Sequence, residues 1–174
     1  MRKSPIFGLF LALLIAFPLA AQDARPDDVE TPEAIVAATY ESIARAPGAD
    51  FDWPRFRTLF LPQAQLIPST EQTGGPLVVM SVEDFVDWIA SATSIGGDGD
   101  RGFSEDGINN VVERFGDVAH VFSTYEKHFY GDDQNLGRGI NSFQLVWNEG
   151  RWWISAIAWD EEVGAGPIPA KYLP

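Results

Sequence analysis

Between Glu105 and Glu162 the chain carries two long segments, and a two-residue turn signal folds each one in half. Residues 108–115 and 118–130 flank Gly116-Asp117, and residues 139–148 and 151–160 flank Glu149-Gly150. Two-residue connections containing Gly favour tight antiparallel hairpins. Four consecutive strands must bury at least one face, and the chain supplies the cover upstream. Thr31-Pro32-Glu33 combines an N-cap hydroxyl, a first-turn proline and a carboxylate near the positive helix end. Val36, Tyr40 and Ile43 recur at helical spacing, widened by Ile35 and Thr39, up to Pro47-Gly48. A second short helix is expected after Asp52 as far as Pro62, with short strands over 64–68 and 76–80. A third helix opens at Ser81 with a capping-box pattern to Asp84 and carries Phe85, Trp88, Ile89 and Ala92. Residues 94–107 read as a Gly- and Asp-rich loop. Helices first and antiparallel strands after define an α+β domain, with a curved antiparallel sheet wrapped around N-terminal helices.

The last strand is apolar on both faces. Simple alternation puts Trp152, Ile154, Ala156 and Ala158 on one side and Trp153, Ile157 and Trp159, with Ser155, on the other. A sheet with one wet face alternates apolar with polar. Two covered faces are therefore expected, one under the helices and one under a second copy of the chain or the tail from Val163. A homodimer is the favoured expectation.

Residues 1–21 read as a secretory signal: Arg2 and Lys3, an apolar run over 6–19, and Ala20-Ala21 as the small residues before cleavage. The run is short for a membrane span, which takes about 20 apolar residues. Residues 22–30 are polar and read as a mobile leader, and 31–174 as one domain with an irregular tail over 163–174. Export to a bacterial periplasm or medium is expected, with no membrane association after cleavage. The chain has no cysteine, which excludes thiol catalysis and thiolate metal sites. Without Arg2 and Lys3, ten basic residues face 25 acidic ones, a net charge of −15. Such a field repels nucleic acid.

Three segments carry a resemblance. They are Trp53-Pro-Arg-Phe-Arg57 with Leu59-Phe60-Leu-Pro62 and Ala64-Gln-Leu66; Phe115-Gly-Asp-Val-Ala-His-Val-Phe-Ser-Thr-Tyr125-Glu126; and Gly139-Ile-Asn-Ser-Phe-Gln-Leu145 with Gly150-Arg-Trp-Trp-Ile154 and Trp159. Over about Thr31 to Glu162 this pattern resembles the nuclear-transport-factor-2-like superfamily, and among it the SnoaL-like proteins. The resemblance implies a cone-shaped, cystatin-like α+β barrel with a pocket. The superfamily includes isomerases, dehydratases, hydrolases, cyclases and non-catalytic modules, so the fold does not select a function.

The chemistry-bearing residues are few. Glu113 falls opposite His120 across the first hairpin, either as an oriented base or as a cross-strand charge pair. His120 and His128 lie about 26 Å apart along one strand, too far to share a site. His128 reads as an exposed residue near the strand end. Asp98-Gly-Asp100 departs from a calcium loop at several ligand positions, and no metal or cofactor is expected. The pocket candidates are Arg57 for an anionic group, Ser123 and Tyr125 on one strand, Ser142 and Gln144 on the next, and Asp160 as a carboxylate partner for Tyr125. A small, partly apolar ligand held by a few polar groups is the leading expectation. The alternatives are a cofactor-free isomerase, dehydratase or hydrolase using Tyr125 with Asp160, and a non-catalytic dimeric accessory module.

Overall fold

A computed structural model describes residues 23–91 and 101–174. The expected signal, Ala92 and the Asp98-Gly-Asp100 segment lie outside the described residues. The elements run α1 (Pro32–Ser42), α2 (Trp53–Thr58), β1 (Phe60–Pro68), α3 (Thr70–Thr73), α4 (Val82–Ser91), β2 (Ser104–Phe115), β3 (Val118–His128), β4 (Asn135–Asn148), β5 (Arg151–Glu161) and α5 (Glu162–Ala165). The sheet order is β1-β5-β4-β3-β2. All pairings are antiparallel except β1 with β5, which is parallel. The sheet is curved and open, with β1 and β2 as its edges, and the helices fill the concave side.

Local chemistry explains the element boundaries. The Thr31 hydroxyl accepts from the Ala34 amide at 3.0 Å. At α4, the Ser81 amide donates to Asp84 at 3.0 Å and the Asp84 amide to the Ser81 hydroxyl at 3.1 Å, a reciprocal cap. The second hairpin turn has positive φ at both Glu149 (52°) and Gly150 (79°), which matches the right-handed twist of the strands it joins. Four expectations are corrected. The second helix ends at Thr58, and β1 begins before Pro62 because it extends beside β5. Residues 76–80 contribute one isolated bridge, Leu66 to Met80. Strand β2 starts at Ser104, inside the expected loop, because its ladder continues opposite β3 as far as His128. The leader is anchored from Asp28 onwards. Asp28 is buried and receives two hydrogen bonds from Arg55, at 2.8 and 2.7 Å, which hold its carboxyl below the usual range. The Val29 carbonyl accepts from the Trp152 amide.

Strand β5 does not alternate simply. Gln144 pairs with Ala156 and Leu145 with Ile154, so Ser155 is an extra, bulged residue. Its hydroxyl donates to the Gln144 carbonyl at 3.0 Å. The bulge reverses parity halfway along the strand. Trp152 and Ile154 face the helices, and beyond it so do Ile157, Trp159 and Glu161. The outer face keeps Trp153, Ala156, Ala158 and Asp160. The expectation of two equally apolar faces therefore fails, and the large residues gather on one side. The tail covers part of the outer face: Tyr172 lies 4.8 Å from the Phe122 ring and its carbonyl accepts from the Thr124 hydroxyl at 2.6 Å.

Adjacent tryptophans test this assignment. Trp152 is 1% exposed, whereas Trp153 is half-buried over the Arg151 guanidinium. Trp152→Ala is expected to cost about 3–5 kcal/mol in urea denaturation, and Trp153→Ala at most about 1 kcal/mol. Equal losses would contradict the unequal burial of the two faces at this end of β5.

Candidate functional site

The concave side is solid at one end and hollow at the other. Ile35, Val36, Leu59, Val121, Leu145, Trp152 and Ile154 fill the half before the bulge. Beyond it a cavity of about 420 Å³ opens between the helices and the sheet. Its helix-side wall is aromatic: Phe51, Trp53 and Phe56, with Phe85 and Trp88 from α4. Trp159 of β5 closes it from the sheet, edge-on to Phe85 at 5.9 Å.

Its sheet floor is polar. Glu105 (β2), Tyr125 and Lys127 (β3), Asn141 (β4) and Glu161 (β5) stand in neighbouring registers. Two hydrogen-bonded groups form. In the first, the Tyr40 hydroxyl donates to Ser123 at 2.7 Å, and the Asn141 amide donates to Tyr40 at 3.2 Å and to Glu105 Oε1 at 3.0 Å. In the second, Lys127 and Gln72 both donate to Glu161 Oε1, and the Trp159 indole donates to Gln72 at 2.6 Å.

Enclosure dominates the electrostatics. Burial pushes the Glu105 carboxyl up to about 7, opposed by the Asn141 hydrogen bond and the Lys127 charge and reinforced by Glu161 and Asp106. Burial also raises both tyrosine hydroxyls far above their ordinary value, assisted by the nearby Glu105 carboxylate. Tyr40 and Tyr125 are therefore neutral hydroxyls at any physiological pH. A carboxyl poised near neutrality among neutral hydroxyls can accept a proton or a donor group from a bound molecule.

The sequence candidates scatter around this site. Tyr125 lines the cavity, and Ser123 lies beneath it as the acceptor of Tyr40. Ser142, Gln144 and Asp160 project from the outer face, because β4 and β5 present Asn141, Phe143, Ile157, Trp159 and Glu161 inward. Arg57 sits outside the cavity, with its guanidinium fork held by Glu83 through two 2.7 Å bonds. Glu105, Lys127, Asn141 and Glu161 were missed. Glu105 fell in the segment read as loop, Lys127 was passed over although it shares the face of Tyr125 two residues before it, and Asn141 and Glu161 lie where face parity relative to β5 depends on its bulge. On the outer face Glu113 does stand opposite His120. The His120 Nε2 lies 3.0 Å from the Ser142 hydroxyl, and Nδ1 lies 4.0 Å from Glu113. Ser142 is paired with Phe122 on one side and Ala158 on the other. The surrounding amides are committed to the ladder and cannot form an oxyanion hole. His128, expected to be exposed, has a side chain only 15% exposed and a buried Nδ1. Among the described residues no group of three or more His, Cys, Asp or Glu gathers for a metal ion.

No family model and no curated protein matches the sequence. Solved structures do. A protein of unknown function with a cystatin-like fold from Nostoc punctiforme superposes with a TM-score of 0.57 at 15% identity, covering 82% of this chain and 90% of that one. A nuclear-transport-factor-2-like protein of unknown function from Shewanella baltica gives 0.51 at 16% identity, covering 73% and 87%. A second cystatin-like domain of unknown function from Nostoc punctiforme gives 0.51 at 13%, covering 80% and 79%. The chain has the nuclear-transport-factor-2-like, cystatin-like α+β fold.

Two substitutions probe the floor. A Cβ on Gly139 would meet the Tyr125 hydroxyl oxygen at 2.4 Å and the Asp160 carbonyl at 2.5 Å. Gly139→Ala is therefore expected to destabilise by about 1–3 kcal/mol in urea denaturation. Glu105→Gln should act with the opposite sign at high pH. The unfolded Glu105 carboxyl ionises near its ordinary value while the folded one resists to about 7, so wild-type stability declines across that interval. Relative to wild type, Glu105→Gln should gain up to about 3 kcal/mol between acid and mildly alkaline pH. A pH-independent difference would show that the carboxyl is not confined.

Proposed function

We propose that this is an exported protein that binds a small, partly apolar molecule in the cavity between the helices and the sheet. The observation that supports this best is one roomy cavity with an aromatic wall and a single polar floor. Ligand sites of such volume typically combine apolar enclosure with a few orienting polar groups. The cavity weighs against a purely structural module, whose cone would be filled. Native mass spectrometry of protein from its own host is expected to show a retained small molecule. Trp88→Ala should weaken its binding about tenfold or more, as removal of a stacked wall ring does. An empty protein that binds no hydrophobic probe would refute the reading.

The same reading includes a homodimer through the outer sheet face. It is supported by the exposed corner where Phe115 (86%) and Val118 (54%) lie beyond the reach of the tail. The subunit mass in the same spectrum tests it.

A second reading is favoured by the state of Glu105: a cofactor-free isomerase or dehydratase in which Glu105 takes a proton and Tyr125 donates a hydrogen bond. Asp160 cannot serve, since it projects from the other face. A rate profile with a limb near pH 7, lost with a roughly 10²–10⁴-fold drop in Glu105→Gln, would support this reading.

A further inference from the structure

The cavity has an excess of acceptors. Its charged lining residues, among the described residues, are Glu105, Lys127 and Glu161. Lys127 is neutralised by Glu161, which leaves one unmatched carboxyl. Neighbouring guanidinium groups are spent elsewhere, Arg101 on Asp132, Arg57 on Glu83 and Arg138 on Glu162. Of the neutral donors on the floor the Tyr125 hydroxyl is left over, and the others are spent. Both amide protons of Asn141 are used, one on Tyr40 and one on Glu105, and the Tyr40 proton goes to Ser123. The Gln72 amide donates to Glu161, and its carbonyl is taken by the Trp159 indole. Glu105 has a second oxygen that accepts nothing from these partners, and so does Glu161. A molecule seated on this floor satisfies it by donating. The wall points the same way, since aromatic faces attract cations and not anions.

We propose that the ligand is a hydrophobic amine: an aromatic body against Trp53, Phe85, Trp88 and Trp159, with a protonated nitrogen donating to Glu105. This deepens the binding reading and rests on it. A carboxylate on the same skeleton is rejected, because it would meet Glu105 with no free guanidinium to balance it. The charged and titratable groups around Glu105 are Lys127 on β3, Glu161 on β5, Asp106 on β2, and the hydroxyls of Tyr40 on α1 and Tyr125 on β3. Of these only Lys127 carries positive charge, and Glu161 holds it. An ammonium beside Glu105 favours the ionised carboxylate, so amine binding below neutral pH is coupled to proton release.

The test uses three probes on one carbon skeleton, tryptamine, tryptophol and indoleacetate, titrated calorimetrically into the full mature chain. At about pH 8 tryptamine should bind at least about tenfold more tightly than tryptophol and about a hundredfold more tightly than indoleacetate, as expected for a charge-assisted bond in an enclosed site. Its advantage over tryptophol should shrink about tenfold at a pH well below 7, where Glu105 is protonated. Glu105→Gln should abolish the advantage and leave tryptophol affinity within about threefold. The wild-type comparison stands even if the variant folds poorly. Indoleacetate binding as tightly as tryptamine, or an advantage unchanged in Glu105→Gln, overturns the amine assignment and leaves the cavity a binding site. Failure of all three probes to bind overturns both.

Discussion

One inserted residue organises this molecule. Without the Ser155 bulge, β5 would alternate along its length, and Trp152 and Trp159 would face opposite sides of the sheet. With it, one half of β5 seals the core with Trp152 and Ile154, and the other half presents Ile157, Trp159 and Glu161 to the cavity. Bulges bend a strand as well as shifting its register. A second irregularity at Ile108 shifts the phase of the edge strand β2, and directs Glu105 inward. The hollow end of the domain begins where these two strands change phase.

The polar floor follows from that geometry. Five side chains from four strands meet under a layer of rings, and partial burial raises the stakes of each pairing. Lys127 and Glu161 meet this demand by pairing, with Gln72 as a further donor. Glu105 meets it by holding its proton to about neutral pH. Tyr40 and Ser123 are satisfied beneath the floor, so their role is support. A site so arranged carries a single adjustable charge, and its sign depends on what sits in the cavity.

The architecture was readable from local signals. Thr31-Pro32-Glu33, Ser81 with Asp84, and the two turn dipeptides each have a short-range cause, and each forms as expected. The site was much less readable, because pocket membership is a question of face and face is a question of counting. Ser142 and Gln144 were placed inward as polar residues on one face of an apolar strand, and Asp160 for its carboxyl. Ser155, the one polar residue between Trp152 and Trp159, was the available sign that alternation breaks there. Glu105 lay in Ser-Glu-Asp-Gly, which has no strand propensity of its own and is extended only because β3 continues beside it. Carrying the hairpin ladder past Ile108 would have put Glu105 within one residue of Lys127, an opposite-charge pair worth noticing. Arg57 was unreadable in another way: its partner Glu83 is 26 residues away and on a different helix.

The wall rings Trp53, Phe56, Phe85 and Trp88 come from helices, whereas most of the cavity's polar atoms come from strands. Helices packed by side chains alone can shift by fractions of an ångström when a ring is exchanged, but a hydrogen-bonded ladder cannot. Size preference and chemical preference are thus written on separate parts of the chain. Descendants of this fold could exchange the body of their ligand through α2 and α4 and keep the same headgroup, or recode the headgroup on the strands within an unchanged envelope.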